Sequence, residues 1–293
     1  MTAPPDDRAQ LIEAITRQVM ATFAAAAGPG ADGTNCATCS GGCAARCAPR
    51  VAEVVAGGAS RVSYSGEAGH VPVNLAKYID HTLLRPEAAA SAFDKLCQEA
   101  VQHRFYSVCV NSCRVSYVAR KLQGTGVRVC AVVGFPLGAM TARSKAFEAR
   151  EATADGAAEI DMVVNVGLLK SGDLHGVEED IRAVRRATRS TTVLKVILET
   201  ALLTQDEKLL ACELAKKAGA DFVKTCTGFS GGTASVEDVS LMRRAVGAEM
   251  GVKASGGVRT YKGAVALIGA GATRLGCSAS VAIVTGGDPG AGY

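Results

Sequence analysis

Residues 193–200 read VLKVILET, a run of apolar residues with one lysine, Lys195, near its centre. Three further apolar runs each carry a charged residue: Asp161 in EIDMVVN (159–165), Lys224 in DFVKTCTG (221–228) and Lys253 in GVKASGG (251–257). Lysine and aspartate are almost never fully buried unless they are paired. These runs therefore predict buried strands whose charged side chains meet one another.

Outward from these runs, short β-branched segments alternate with helical patterns over residues 73–293, as in repeated βα units. Eight candidate strands follow in order: Tyr78–Thr82, Ser107–Asn111, Val127–Gly134, Glu159–Val166, Thr192–Glu199, Phe222–Thr225, Gly251–Ala254 and Thr273–Gly276. Helical patterns lie between them, for example over 141–156, 174–188, 204–218, 235–247 and 260–270. We expect an α/β fold, a (β/α)8 TIM barrel. A doubly wound open sheet is the alternative, but the strand count and the lack of G-x-G-x-x-G after the first strand favour the barrel.

The composition excludes several classes of protein. The chain has 293 residues, 48% of them hydrophobic, and a net charge of +4. This mild charge suits attraction of a small anion, and no nucleic-acid partner is expected. No apolar run approaches the ~18 residues that span a bilayer, and the start, MTAPPDDRAQ, lacks the order of a secretion signal. A cytoplasmic protein with no membrane partner is expected.

The charged residues lie on four consecutive predicted strands, so in a barrel they would converge on its C-terminal mouth. A structural ion pair explains any one of them better than it explains all four. Lys224 and Lys253 lie on neighbouring strands, where a second ammonium and partial desolvation lower the pKa of a lysine. An uncharged amine beside a carboxylate, here Asp161, is the equipment for Schiff-base chemistry with proton relay through water.

Small residues follow predicted strands six, seven and eight: Thr227 and Gly228, then Gly256 and Gly257, then Gly276 and Ser278. Loops after the last strands of a barrel commonly bind a phosphate through backbone N–H groups. Glycines also serve simply to make tight turns, and for a single loop that alternative is the better one. Three successive loops favour a phosphate site.

Together these residues resemble the deoxyribose-phosphate aldolase family. The matching segments run in order from residue 73 to residue 293: YIDHTLLRP (78–86), SVCVN (107–111), VVGFPLG (132–138), EIDMVVNVGLLKSGD (159–173), LKVILET (194–200), FVKTCTGF (222–229), VKASGGVRT (252–260) and RLGCSAS (274–280). The resemblance implies a (β/α)8 barrel that needs no metal or organic cofactor. It implies reversible cleavage of 2-deoxy-D-ribose 5-phosphate to D-glyceraldehyde 3-phosphate and acetaldehyde. A homo-oligomer, a dimer, is expected.

The resemblance also assigns roles by matched position. Lys224 resembles the Schiff-base lysine, Lys253 its pKa-lowering neighbour, Asp161 the proton-relay carboxylate and Lys195 their network partner. Asp80 and Cys109 resemble polar lining of the pocket, and Gly228, Gly256, Gly257 and Ser278 resemble phosphate contacts. The chain ends GDPGAGY, so Tyr293 would fill the role of a mobile C-terminal tyrosine that helps transfer a proton. Ala279 departs from members that have a second serine there, which would weaken phosphate binding.

Two rival functions remain. A different class I aldolase or a transaldolase-like enzyme would share the barrel and the lysine, and a panel of substrates would separate them. A phosphate-binding or scaffold protein that has lost catalysis is the second rival. The presence of Lys224, Lys253 and Asp161 together argues against it.

Residues 1–72 form an N-terminal extension that the barrel does not explain. An amphipathic helix is predicted over 7–24, where Leu11, Ile15, Val19 and Phe23 repeat every four residues. It resembles the encapsulation peptides of bacterial microcompartment cargo enzymes, which implies shell proteins as partners. The alternatives are a helix docked on the barrel or a dimer contact.

The extension also holds a cysteine cluster over 36–47: Cys36, Cys39, Cys43 and Cys47. Four thiolates at this spacing would hold zinc or an iron–sulfur cluster. The alternative is a reduced linker that binds nothing. The chain has eleven cysteines, an odd number that argues against a complete disulfide framework.

Overall fold

The computed structural model describes residues 74–286. The helix predicted over 7–24, the cysteine cluster over 36–47 and Tyr293 therefore lie outside the described residues. The chain divides into two units between Pro72 and Val73, and the second unit contains every element described below. In the described range, no helix combines the length and the apolar character that crossing a membrane requires.

Eight parallel strands close into a barrel, each bonded to the next in chain order and the last to the first. The strands are β1 Ile79–Leu83, β2 Ser107–Asn111, β3 Arg128–Val133, β4 Glu159–Val163, β5 Val193–Ile197, β6 Phe222–Lys224, β7 Gly251–Ser255 and β8 Arg274–Cys277. The predicted (β/α)8 barrel is confirmed.

Helices connect the strands and surround the barrel. They are α1 Ala90–Gln102, α2 Val115–Leu122, α3 Ala142–Ala154, α4 Val166–Lys170, α5 Leu174–Ala187, α6 Gln205–Lys217, α7 Val236–Val246, α8 Tyr261–Gly269 and α9 Ser280–Thr285. Several begin at a hydroxyl residue that caps the helix; Thr204 and Glu207, for example, form a reciprocal capping box at the start of α6. Such caps fix where the loops before these helices end.

The two faces of each strand are buried in different surroundings. Side chains alternate along a strand, so a residue that points into the barrel has neighbours that point to the helices. On β5, Lys195 reaches Asp80 on the opposite strand, 4.0 Å away, and therefore points inward. Leu194 and Val196, both fully buried, then face the helix layer. The apolar core thus lies between barrel and helices, while charged side chains occupy part of the barrel interior.

Two predicted strands end earlier than expected. The strand predicted as Glu159–Val166 stops at Val163, because Asn165 accepts a hydrogen bond from the Leu168 N–H and begins α4. The strand predicted as Thr192–Glu199 stops at Ile197, and Glu199 takes a left-handed conformation with φ 57° and ψ 60°. In both cases the apolar pattern continues past the point where the backbone leaves the sheet.

Candidate active site

The two lysines of the predicted pair lie side by side. Lys224 on β6 and Lys253 on β7 are direct partners in the sheet register. Both Nζ atoms lie 2.8 Å from the same carboxylate oxygen, Oδ2 of Asp161. The two ammonium groups are therefore separated by no more than twice that distance. Asp161 bridges the two strands from β4, across the barrel.

The other oxygen of Asp161 has a different partner. Lys195, the register partner of Asp161 on β5, places its Nζ 2.7 Å from Oδ1. The same Nζ lies 2.6 Å from Oε2 of Glu159, two residues before Asp161 on β4. Lys195 is therefore fixed by two carboxylates of one strand and holds the orientation of Asp161.

Asp80, Glu159 and Arg274 form the lower part of this charged cluster. Arg274 donates to Asp80 at 2.8 Å and to Glu159 at 3.0 Å. Asp80 also lies 2.5 Å from the Nζ of Lys253 and accepts the hydroxyl of Ser107 at 2.7 Å. Arg274 begins β8 and Lys224 ends β6, so the ion pairs extend along the barrel from its N-terminal side to its C-terminal mouth.

The cluster sets the protonation states of its members. Burial opposes charge on Asp161, but the ammonium groups of Lys195, Lys224 and Lys253 outweigh it and hold the pKa of Asp161 well below its usual range. Burial likewise opposes charge on Lys195 and Lys253, yet Asp161 and the neighbouring carboxylates raise the pKa of both lysines. Asp161 is thus a carboxylate, and Lys195 and Lys253 are ammonium ions.

Lys224 differs from the other two lysines in its partners. Among the described residues, the buried part of the cluster contains four cations and three carboxylates: Lys195, Lys224, Lys253 and Arg274 against Asp80, Glu159 and Asp161. Within residues 74–286, Lys224 forms an ion pair with Asp161 alone, whereas Lys253 also pairs with Asp80. The side chain of Lys224 keeps 4% of its surface exposed, against 0% for Lys195 and Lys253. Lys224 is therefore the amine with the fewest ion pairs to lose and with access to the mouth.

Two cysteines lie against the carboxylate bridge. Cys109 and Cys130 are register partners on β2 and β3, and both are fully buried. A hydrogen bond with Cys130 lowers the pKa of Cys109, against the effect of burial. Within the described residues these thiols and Asp161 are close enough to hold a metal ion. The Nζ of Lys195 already lies 2.7 Å from Asp161 and 3.4 Å from Cys130, so its ammonium group provides the positive charge beside these ligand atoms that a metal ion would otherwise supply.

The predicted glycine loops meet at the mouth beside the lysines. Gly228 and Gly256 have φ of 83° and 94°, a region that favours glycine. A Cβ on Gly228 would lie 3.7 Å from the Cα of Gly256, and one on Gly256 would lie 2.8 Å from the carbonyl oxygen of Gly232. The loops after β6 and β7 thus approach each other closely, and a side chain at Gly256 would collide with the backbone of the β6 loop, whereas a Cβ at Gly228 would make only an ordinary contact.

Two other predicted phosphate residues have partners inside the protein. A Cβ on Gly276 would lie 2.9 Å from Cε of Lys253, so this glycine makes room for the lysine. Thr227 donates its hydroxyl to Glu199 and accepts the N–H of Phe229 at 3.1 Å. Ser278 is partly exposed at the start of the loop before α9. That these residues contact a phosphate stays a prediction.

Sequence reasoning did not single out Glu159, Arg274 or Glu199. Glu159 precedes Asp161 by two residues, which places both on the inner face of β4. That spacing was the available signal for a second inward carboxylate. Arg274 and Glu199 stand at predicted strand ends, where nothing in the local pattern distinguishes a buried charge from an exposed one.

The site matches known proteins over the same part of the chain. A family model described as DeoC/LacD family aldolase matches residues 74–284. A deoxyribose-phosphate aldolase of Brevibacillus brevis is 59% identical over 222 residues, 75% of this chain and 100% of the relative. One from Clostridium novyi is 58% identical over 214 residues, 73% of this chain and 96% of the relative. The structure of a tetrameric deoxyribose phosphate aldolase from Aeropyrum pernix is similar with a TM-score of 0.68 and 33% identity, covering 72% of this chain and 89% of that one.

Proposed function

The chain belongs to the DeoC/LacD family of aldolases, and from that premise we propose that Lys224 performs its chemistry as a Schiff-base lysine. The enzyme is a deoxyribose-phosphate aldolase, a lyase that reversibly cleaves 2-deoxy-D-ribose 5-phosphate to D-glyceraldehyde 3-phosphate and acetaldehyde. The observation that carries the lysine assignment is the ion-pair pattern, in which Lys224 is the least paired amine and the one that reaches the mouth. A metal or organic cofactor has no part in the proposed reaction.

The reaction begins with attack of the uncharged Lys224 amine on the C1 aldehyde of the open-chain sugar. Loss of water gives an iminium ion. A water held by Asp161 accepts the C3 hydroxyl proton, the C2–C3 bond breaks, and its electron pair moves toward the iminium nitrogen to give an enamine. Glyceraldehyde 3-phosphate leaves with C3 as its aldehyde carbon. Protonation of the enamine carbon and hydrolysis then release acetaldehyde and the free amine.

Asp161 and Lys253 have distinct proposed tasks in these steps. Because its pKa is held well below the usual range, Asp161 orients the water and passes a proton on rather than keeping it. Lys253 shares Oδ2 of Asp161 with Lys224, so a proton can be handed between the two amines through that oxygen. Lys195, fixed to the other oxygen, keeps the carboxylate in this orientation.

Reductive trapping tests the assignment. Treating the enzyme with acetaldehyde and borohydride should leave an ethyl group on Lys224, identified by peptide mass spectrometry. Lys224→Arg should abolish the adduct and the activity while the fold is retained. An ethyl group on Lys195 or Lys253 in the wild-type enzyme would contradict the proposal.

The proposed role of Tyr293 rests on the sequence alone. We propose that Tyr293 helps protonate the enamine carbon, since a tyrosine follows several glycines at the terminus. Removing Tyr293 should slow exchange of the methyl protons of acetaldehyde with solvent deuterium, measured by NMR, and leave trapping on Lys224 intact. Unchanged exchange would eliminate this role. Residues 287–293 lie outside the described part of the chain.

We also propose that the helix predicted over 7–24 directs the enzyme into a microcompartment shell, which would confine a reactive aldehyde product. The support is the amphipathic pattern. Residues 1–25 fused to a fluorescent protein should form foci in a host that makes shells, and diffuse fluorescence would count against the proposal.

Zinc or iron–sulfur binding by Cys36, Cys39, Cys43 and Cys47 would appear as stoichiometric metal in anaerobically purified protein, lost when these cysteines are replaced. A dimer in solution remains expected, and light scattering measures it.

A further inference from the structure

Glu199 is a buried carboxylate that the proposed reaction does not use. It follows β5 and is 2% exposed. Its backbone lies in the left-handed region, with φ 57° and ψ 60°. For a residue other than glycine that conformation is strained and persists only when the surroundings impose it. Contacts with neighbouring residues must therefore compensate for both the burial and the conformation.

The compensation comes from Thr227, in the loop after β6. The backbone N–H of Thr227 donates to the Glu199 carboxylate, 3.2 Å from Oε2 and 3.4 Å from Oε1. The Thr227 hydroxyl donates to Oε2 as well, and its oxygen accepts the N–H of Phe229. Glu199 thus fixes the backbone on both sides of Gly228. Hydrogen bonds to an ionised carboxylate are about twice as strong as neutral ones.

The segment around Glu199 runs beside the β6 loop over several residues. The Thr200 N–H donates to the Thr225 carbonyl at 3.2 Å, and the Thr200 hydroxyl lies 3.3 Å from Sγ of Cys226. A Cβ on Gly232 would lie 2.7 Å from the Cβ of Ala201. The loop therefore contacts residues 199–201 both at its beginning, over residues 225–227, and again at Gly232, and the carboxylate is the charged part of that contact.

The negative charge of Glu199 shows which of two roles it can have, shaping the loop or binding the phosphate itself. A carboxylate near an anion site repels the anion, so Glu199 does not attract the phosphate directly. We propose that Glu199 is a positioning residue that shapes the loop after β6 so that Gly228, beside Gly256, presents backbone N–H groups to the substrate phosphate. This inference rests on the proposed function, whose substrate carries the phosphate, and on the prediction that the loops after β6 and β7 bind that phosphate.

The test compares phosphorylated and unphosphorylated substrates. Glu199→Gln keeps the size of the side chain and removes the charge. The KM for 2-deoxyribose 5-phosphate should rise about tenfold, since the charge-assisted hydrogen bonds from the Thr227 N–H and hydroxyl are weakened. The kcat/KM for unphosphorylated 2-deoxyribose, and trapping of acetaldehyde on Lys224, should stay within about twofold of wild type, because neither uses the phosphate loops.

A fall in the KM for the phosphorylated sugar, instead of a rise, would overturn the inference. If Glu199 acted only by repelling the phosphate, the variant would bind the phosphorylated sugar more tightly and its KM would fall. Equal losses on both substrates, or an unchanged KM, would also contradict positioning. Thr227→Val, which removes the hydroxyl from the other side of the contact, should raise the KM for the phosphorylated sugar in the same way. It provides the answer if Glu199→Gln fails to fold.

Glu178→Gln is the matched control. Glu178 is a nearly buried glutamate on α5, paired with Arg182 and Lys217 on the outer helix layer. This substitution should leave the KM for the phosphorylated sugar and the kcat/KM for the unphosphorylated sugar unchanged. Failure of the wild-type enzyme to trap acetaldehyde on Lys224 would reject the proposed function itself, which separates that outcome from a failure of the inference about Glu199.

Discussion

Asp161 carries more of the site than any other side chain, because three ammonium groups share its two oxygens. Removing one partner of a buried ion pair leaves uncompensated charge, which costs more than the pair contributes. Ionised Asp161 therefore offsets part of the buried positive charge of the three lysines around it. Its contribution to stability can be measured separately from its proposed role in the reaction.

We expect Asp161→Asn to lower the free energy of unfolding by about 3–5 kcal/mol at neutral pH. The wild-type pKa of Asp161 is depressed on folding, so its stabilising contribution is present above the unfolded value near ~4 and is lost as the pH falls below it. The gap between variant and wild type should therefore shrink in acid. Urea unfolding at several pH values measures this, and a gap that widened in acid would refute the assignment.

Glu159 controls the charge balance of the cluster from below the reacting groups. It pairs with Lys195 and Arg274, and Arg128 lies 3.7 Å from its second oxygen. Glu159→Gln removes one of the three negative charges that face four buried positive ones and the half-exposed Arg128. An extra positive charge favours loss of a lysine proton, so the acidic limb of the pH–rate profile should move down by roughly one unit. Glu178→Gln serves again as control, and a shift to higher pH would exclude this role.

Much of the site was predictable from the sequence because a charge inside an apolar strand is a strong signal. Lys195, Lys224, Lys253 and Asp161 stand out in that way, and the structure brings them together. Whether each has the role assigned to it stays a prediction. Cross-strand partners such as Arg274 were not predictable, because the register of eight strands decides which side chains meet and no local pattern encodes it.

At the scale of elements, β6 and β7 are joined past the end of β6 by side chains as well as by one backbone bond, from the Thr225 N–H to the Lys253 carbonyl at 3.1 Å. The Thr225 hydroxyl donates to the Ser255 carbonyl at 2.7 Å and accepts the Ser255 N–H at 3.0 Å. The Ser255 hydroxyl donates to the Cys226 carbonyl at 2.6 Å. These bonds hold together the two strands that carry Lys224 and Lys253, where the chain begins to diverge into loops.

Thr225→Val should destabilise the protein by about 1–3 kcal/mol, since it leaves a buried N–H and a carbonyl without their partner. The rate of acetaldehyde trapping on Lys224 should fall several-fold as the two lysine strands lose their fixed spacing. Thr153→Val is the control, because that buried hydroxyl returns to its own helix, α3. If both variants trapped acetaldehyde at the wild-type rate, the hydroxyl contact would have no part in positioning.

A second contact between elements joins α3 to α5. Lys145 and Asp180 form a buried ion pair at 2.5 Å, and Lys145 also donates to the Val163 carbonyl at the end of β4. Burial raises the pKa of Asp180 and lowers that of Lys145, each against the effect of the other. Burying this pair therefore costs desolvation free energy, and removing only one partner costs more, because the other is left buried without a counter-charge.

Lys145→Met should cost about 3–5 kcal/mol of stability at neutral pH, because Asp180 is left buried and unpaired. A carboxyl whose pKa is raised on folding binds its proton more tightly when folded, so lowering the pH should return part of the loss. The double variant Lys145→Met, Asp180→Leu should be more stable than the single one. Thermal or urea unfolding decides, and a double variant that was less stable would contradict this account.

Element ends show what the apolar pattern alone cannot define. Strand positions agree with prediction to within a residue or two at most ends, because runs of β-branched residues bounded by polar ones mark them. The runs past Val163 and Ile197 remain apolar, yet the backbone turns there. At the first of these ends, Asn165 ends the strand by capping the helix that follows. At the second, the strand ends where Glu199 turns the backbone, and Thr227 holds Glu199 in that conformation. Only the assembled barrel brings Thr227 within reach of Glu199.

At the scale of the whole molecule, the barrel corresponds to complete relatives. The aldolase of Brevibacillus brevis matches over its full length, and the family model begins at residue 74. We expect a variant that lacks residues 1–72 to fold and to cleave the phosphorylated sugar within about twofold of the full chain, as an independently folding domain would. A loss of activity far beyond that would show that the extension supports the barrel.

The barrel interior described above is filled partly by ions where many barrels place branched aliphatic side chains. Warming changes the balance between these two kinds of filling. The hydration free energy that ions give up on burial becomes smaller as temperature rises, whereas the gain from burying apolar surface levels off. We therefore expect the ionic interior to contribute relatively more to the stability of the protein when it is hot than when it is cold.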